Sequence, residues 1–499
     1  TQNKMLQIKA ERNIFGQLVV LSVEHNIDLQ VTLSYPLGPV PYALATADGM
    51  PAKTDKSKLL HHLESCIEPV TAPASEAVAQ VIDGNASLYV LSPVPDNFQG
   101  VAETVFDRLP KSARVDFVTD TYKDISIKSF ERKRRGTSEK LLISGPKTKT
   151  PKDWKAFMSN AENKAQLIKL LFSEWQKDSY AKRLQGRDLY YAISDKCYRL
   201  TSIDGNTVEV RSVDALATSQ EEADTRIILH CLHICETVPT TTQIIVRSPD
   251  TDVLVLLLKY AQQIGPVILF DTGTSDKRRL LNVKQIIEVK GSDLCSVLPA
   301  LHCFTGCDTV SSFVRRGKIT PLKTLQKYSD FIQVFECLGK HENCSDALVD
   351  DLEKFVCRMY GKPSYTSVNK LRYDSFSKNY QGKSGQVLSA FDGIDLSLLP
   401  PCRTSLEMHA RRANYQAFIW CHAHEQFPNV PSPEGHGWKV DDDGSFDFDW
   451  TAGKIVPQEL IDILCEDATG EEEEEEDEDF ATEADALMDV VYEDDSDED

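Results

Sequence analysis

Short apolar, β-branched runs closed by an acidic residue alternate, through the middle of the chain, with stretches whose apolar residues recur at helical spacing. QVIDGNASLYVL is an apolar run that ends in Asp-Gly and passes into a helix. ARVDFVTD reads as a second strand, again ending in Asp. In SQEEADTRIILHCLHIC the pattern predicts a helix, with Ser219 as its cap and Glu222 three residues on, a capping box. TQIIVRSPD predicts a buried strand, TDVLVLLLKYAQQIG a helix, PVILFD and VKQIIEV two more strands, and GSDLCSVLPALHCFTG a helix. Strands alternating with helices predict an α/β fold, a parallel sheet covered on both faces. Ligands gather at the carboxyl ends of such strands, where Asp83, Asp120 and Asp250 fall.

The flanks differ. Residues 1–77 form a mixed segment, with an apolar stretch around NIFGQLVVLSV, a Pro/Gly-rich turn region and a helix at KSKLLHHLESC, and show no chemistry. After Asp308, TVSSFVRRGKITPLKTLQKYSDFIQVFECLG predicts two helices around a basic turn at Arg315–Lys318. Residues 340–465 read as mostly helical, with MHARRANYQAFIW the clearest stretch and a short strand at FDFDW. The expected organisation is an N-terminal segment (1–77), an α/β domain (78–339) with a basic insertion at about 125–215, a helical region (340–465) and a tail (466–499).

Charge sharpens this division. The 499 residues carry a formal −22, but the stretch from Glu466 to Asp499 holds 20 Asp/Glu and no Lys/Arg, so the rest is nearly neutral. That tail is too charged to fold alone and is expected to be disordered. It suits a role as a nucleic-acid mimic on the chain's own basic segment, as a ligand for basic proteins, or as a solubilising tail. Lys128 to Arg187 holds 16 Lys/Arg against 6 Asp/Glu and includes SFERKRRG, whose basic run also fits a nuclear-import signal. A nuclear, intracellular protein is the expectation. The run of ~18 apolar residues that a membrane span needs is absent. The sequence shows no signal peptide, and its start at Thr1 reads as that of a fragment. The 13 cysteines include no CxxC pair and read as buried, reduced thiols. Cys421, His422 and His424 read as ordinary helix residues ahead of a zinc site.

The candidate chemistry lies in seven acids: Asp83, Asp120, Glu222, Asp224, Asp250, Asp252 and Asp308. Several follow apolar runs, where a carboxylate has no packing role. Crowded carboxylates repel one another unless a hard divalent cation neutralises them. His230, His233 and His302 lie nearby and read as packed helix histidines, because Mg²⁺ prefers oxygen. Glu221 reads as a solvated first-turn acid.

These segments resemble, in order, the five acidic motifs of the flap endonuclease family, within the PIN-like superfamily of 5′-nucleases. VIDGNASLYVL is similar to the first strand and helix, and FVTDTYKDISIKSFERKRRG to the second motif, where Lys and Arg follow the Asp. EEAD resembles the Glu-Ala-Glu motif, SPDTDVLVL the Asp-x-Asp motif and TGCDTVSSFVRRGKITPLKTL the Gly-x-Asp motif with its DNA-binding hairpin. The match spans about Val78 to Gly339. The resemblance implies a PIN-like sheet, a basic helical arch that threads a single strand, and two Mg²⁺ or Mn²⁺ ions. Asp83, Asp120, Glu222 and Asp224 would organise one ion, and Asp250, Asp252 and Asp308 the other. Lys128, Arg132, Arg134 and Arg135 would hold the scissile phosphate, and Arg315, Arg316 and Lys318 the duplex backbone. The implied activity is structure-selective cleavage of nucleic acid, DNA favoured over RNA. The alternatives are an RNA-cleaving relative, a transposon-derived strand-transfer protein and a non-catalytic binding scaffold. The chain departs from the family in Asp224, one methylene shorter than Glu, in Gly317 as the sole hairpin glycine, and in the 82 residues before Asp83. TADGMPAKTDK, HCFTGCDT and GHGWKV also resemble uncharacterised invertebrate proteins with links to mobile elements, a resemblance that names no function.

Overall fold

The computed structural model describes residues 14–73, 78–123, 125–134, 138–239, 243–380, 395–441 and 444–470. Eight strands form one sheet: β1 (Val78–Asp83), β2 (Arg114–Val118), β3 (Asp188–Ile193), β4 (Lys196–Thr201), β5 (Glu209–Ser212), β6 (Gln243–Arg247), β7 (Ile268–Thr272) and β8 (Arg279–Asn282). Their order is β5-β4-β3-β2-β1-β6-β7-β8. The inner five, β3-β2-β1-β6-β7, are mutually parallel, and β4, β5 and β8 join antiparallel at the edges. The chain builds outward from β1 to β5, then returns to lay β6 on the other side of β1. The crevice at the carboxyl ends of β1 and β6 is therefore a topological switch point, where open α/β sheets bind ligands.

Every residue of β2 and β7 is buried, as strands covered on both faces require. Period-2 alternation splits β1 between two cores. Ala79 and Val81 join Ile244, Val246, Leu298 and Phe304 on one face. Ile82 joins Phe98, Phe106, Phe117, Trp154 and Trp175 on the other. The first core continues without a break into Leu59, Leu60 and Leu63 of the helix Ser57–Glu64, and into Phe355, Leu406 and Trp420 of the C-terminal helices. The flanks expected at 1–77 and 340–465 thus share the central core.

The basic insertion does not stand clear of the fold over its described length. Its aromatic residues do the anchoring: Trp154 and Trp175 donate their indole N–H groups to the Leu88 and Ala102 carbonyls at 2.8 and 3.0 Å. Residues from Asp188 onward form β3–β5. The helix Ile127–Arg134 is held by the C-terminal hairpin of β9 (Trp438–Val440) and β10 (Phe446–Phe448), with Phe130 edge-on to Phe448 at 5.7 Å.

Three local expectations change. VKQIIEV is helical, Val283–Lys290, because its apolar residues at 283, 286 and 287 follow helical spacing and Asn282 caps it. Ser219 caps no helix. Its segment is tied to the C-terminal region through Gln220 Nε2, which donates to the Ala423 carbonyl at 3.1 Å, and the helix Ala223–Thr237 begins only after Glu222. The basic turn at 315–318 precedes both helices, Ile319–Lys327 and Phe331–Cys337. The stretch before it is irregular because its N–H groups pair with the N-terminal segment, Ser312 to Ala52 at 2.7 Å and Val314 to Ala43 at 2.9 Å. The FDFDW strand forms as β10, and Cys231, Cys295, Cys303 and Cys357 are buried free thiols. The tail's first residues, 466–470, continue the helix Gln458–Gly470, and 471–499 lie outside the described residues. Among the described residues, no helix is long and apolar enough to cross a membrane.

Candidate metal centre

The carboxyl ends of β1, β2 and β6 deliver the first acids. Asp83 ends β1 and caps the helix Gly84–Tyr89, accepting from the Ala86 N–H at 2.9 Å. Glycine must follow it: a Cβ on Gly84 would meet the Phe117 ring at 2.6 Å and the Val118 carbonyl oxygen at 2.9 Å. The other Asp83 oxygen accepts from Ser248 Oγ at 3.1 Å, and that hydroxyl oxygen accepts the Asp250 N–H at 3.2 Å. Asp120, two residues past β2, accepts from the Ala223 N–H at 2.8 Å, at the start of the helix that Ser219 was expected to cap. Glu222 and Asp224 flank that same helix start, where the dipole favours negative charge. Asp250 caps Thr251–Ile264 by accepting the Asp252 N–H at 2.9 Å.

The expected acids therefore meet. Oxygens of Asp224, Asp250 and Asp252 all lie within 4.8 Å of one another. Lys128 Nζ stands 3.3 Å from both Glu222 and Asp308, and so joins the last motif to the third. Oxygen-only donors at this spacing fit a hard divalent ion. The electrostatics agree. Burial, with the Asp250 and Asp252 charges, pushes Asp224 well above the usual carboxylate range. Burial and the Asp252 charge push Asp250 up to about 7, and burial with the Asp120 charge beside it pushes Asp83 to about 6. Asp252 goes the other way: burial alone would raise it, but the Lys56 ammonium and His302 hold it below that range.

These directions give a stability prediction. An acid whose folded pKa is raised holds its proton longer in the native state than in the unfolded chain. Its contribution is present below about pH 4 and is lost as pH rises through about 7. Solvent reaches 34 % of the Asp250 side chain, so screening leaves an effect of about 1 kcal/mol. Asp250→Asn is therefore expected to stabilise the metal-free protein by about 1 kcal/mol at pH 8 and to leave it unchanged at pH 4, in urea melts. An equal loss of stability at both pH values would contradict the assignment.

Of the expected phosphate ligands, Lys128 and Arg132 lie beside the acids. The Arg132 guanidinium is 3.8 Å from Asp120 and 3.5 Å from Glu221, over the Tyr122 ring at 4.9 Å. Glu221 is not a solvated first-turn acid: it precedes the helix, is 14 % exposed and accepts from Ser126 Oγ at 2.8 Å. Arg134 ends its helix, and its side chain and Arg135 lie outside the described residues. The basic turn does not offer one cationic face. Arg315 is exposed and paired with Asp395 at 2.9 Å, and Arg316 stacks on Tyr360 at 3.9 Å. Lys318 is buried and donates to the carbonyls of His302, at 2.8 Å, and of Gly306. It adds a charged donor at the carboxyl end of the helix Ser292–Phe304 and is withdrawn from any duplex contact.

Several participants were not legible beforehand. His302 is packed in its helix as expected, but its Nε2 lies 2.9 Å from Asp252. Burial and Lys318 lower its pKa to about 4, so the ring is neutral and donates its Nε2–H to the carboxylate. His230 bonds Asp116 at 2.8 Å and His233 lies 2.8 Å from Arg114, both behind the site. Lys56 comes from the N-terminal segment that showed no chemistry. Its one sequence signal is a lysine at the N-cap of the helix Ser57–Glu64, where positive charge opposes the helix dipole. At Cys421–His424, His422 Nδ1 bonds the Phe418 carbonyl at 2.8 Å and the Nε2 atoms of His422 and His424 lie 3.9 and 3.8 Å from one Glu425 oxygen, and the acids above are the metal-sized cluster among the described residues. Compared with known proteins, the chain matches no family model and no curated protein.

Proposed function

We propose that the protein is a divalent-metal-dependent nuclease that hydrolyses phosphodiester bonds, with DNA favoured over RNA and the flap or 5′-end class of substrate favoured over plain duplex. The observation that carries this reading is the convergence of acids from the switch point and three helix starts, with Asp224, Asp250 and Asp252 within 4.8 Å. The five-motif resemblance and the parallel core support it further. Mg²⁺ or Mn²⁺ would supply Lewis acidity toward a phosphoryl oxygen and an activated water. Asp224, Asp250 and Asp252 would hold it, while His302 and Ser248 fix the orientation of Asp252 and Asp83. Lys128 and Arg132 on the helix Ile127–Arg134 would hold the scissile phosphate, exchanging their carboxylate partners for phosphate oxygens.

One observation favours a second reading, a binding scaffold without catalysis: lysines already neutralise part of the acidic set. A substrate panel separates the two. Flap, single-stranded and duplex DNA and a matched RNA flap, each with Mg²⁺, are expected to show metal-dependent cutting strongest on the DNA flap. Cutting confined to the RNA flap would move the assignment to RNA. Salt-sensitive binding with no cutting of any substrate would favour the scaffold.

A further inference from the structure

The acids that the resemblance assigns to a second ion already hold a cation of the chain's own. Lys56 Nζ lies 2.5 Å from Asp308 Oδ1, 2.8 Å from Asp252 Oδ2 and 3.9 Å from Asp250 Oδ1. The other Asp252 oxygen receives His302 Nε2 at 2.9 Å, so both of its oxygens have donors. The segment carrying Lys56 is built in. The Lys56 carbonyl accepts from Thr251 Oγ1 at 3.3 Å, and Lys53 Nζ donates to the Asp308 carbonyl at 2.8 Å. The Ala52 carbonyl accepts the Ser312 N–H at 2.7 Å. Four residues before Lys56 and four after Asp308 are thus cross-linked, and the ammonium is held against these acids from both sides.

We propose that Lys56 replaces the second metal ion, so that the centre takes one divalent ion beside a fixed ammonium. This rests on the metal-centre reading above. The single ion stays with Asp224, Asp250 and Asp252, whose facing oxygens lie within 4.8 Å of one another, with Asp83, Asp120 and Glu222 around it. An ammonium neutralises Asp252 and Asp308 with one charge where a metal would bring two, and it presents N–H donors to a phosphoryl oxygen. Such a centre needs no second ion to be recruited from solution, so cleavage would rise with the first power of Mn²⁺ concentration.

The test is Mn²⁺ titration of the full chain, read by electron paramagnetic resonance, with Lys56→Gln beside the wild type. The wild type is expected to give one tight, magnetically isolated ion. Lys56→Gln is expected to give two, with the spin–spin coupling of a close pair, a signature that ions on the acidic tail do not produce. A coupled pair in the wild type would overturn the proposal, and this count stands even where the variant does not fold. A folded Lys56→Gln that still holds one ion would overturn it as well. No tight ion in either protein would overturn the metal centre itself and this proposal with it.

Discussion

Asp250→Ala and Asp308→Ala are each expected to lower phosphodiester cleavage by about 10³-fold, a loss of about 4 kcal/mol in transition-state stabilisation, while nucleic-acid binding stays within about threefold. Neither carboxylate supports the fold in a way that alanine would undo. Solvent reaches 34 % and 30 % of their side chains, and their ionic partners are the lysines Lys56 and Lys128 rather than buried arginines. Asp250 does cap its helix, so its removal costs about 1 kcal/mol, which the extensive core tolerates. The groups assigned to phosphate contact, Lys128 and Arg132, stay in place on their own helix. Single-turnover cleavage with a fluorescence-anisotropy titration of the same substrate separates the two effects. Wild-type rates in both variants would remove these acids from the chemistry.

Asp116→Ala is expected to act on the fold alone, destabilising it by about 3–5 kcal/mol. Asp116 lies in β2 at 0 % exposure. It accepts from Arg114 Nε at 2.8 Å and Nη2 at 2.9 Å, and lies 2.8 Å from His230 Nδ1. Burial would raise its pKa, but the Arg114 guanidinium holds it below the usual range, so it is ionised in the native protein. Alanine would leave that guanidinium buried without its counter-charge, with only the Thr237 hydroxyl, the His233 ring and the Tyr190 face beside it. Urea unfolding measures the loss. Added Mn²⁺ should not restore it selectively, because Asp116 lies behind the sheet ends rather than at them. The comparison with Asp250→Asn is diagnostic: substituting the acid that packs costs stability at neutral pH, and substituting the acid proposed to bind metal adds to it.

The acids were legible because of where they stand. A β-branched run that closes on Asp before Gly, Pro or Thr marks a strand end, and β1, β2 and β6 all form with their Asp residues at or just beyond the last paired position. The helix Thr251–Ile264 was legible from its apolar spacing and ends at Gly265, whose φ of 78° suits glycine. The strands β3–β5 were hidden because DLYYAI and KCYRLT follow directly on the basic stretch Lys128–Arg187 and fall within the insertion expected at about 125–215. What the acids bind within the fold was not legible at all. Lys56 reaches Asp252 across 196 positions and His302 reaches it across 50, so neither pairing leaves a local pattern. Lys318 was misjudged for the same reason: a basic turn looks like a phosphate grip until the helix end it closes is in view.

The most direct test of the central claim is cleavage of a 5′-labelled DNA flap by protein stripped with EDTA and then resupplied with Mn²⁺, with Asp250→Ala purified in parallel. The account predicts no cutting by the stripped protein, restored cutting by the wild type with Mn²⁺, and none by the variant. Equal cutting by the variant, or a wild type that takes up Mn²⁺ and cuts neither the DNA flap nor its RNA counterpart, would contradict it.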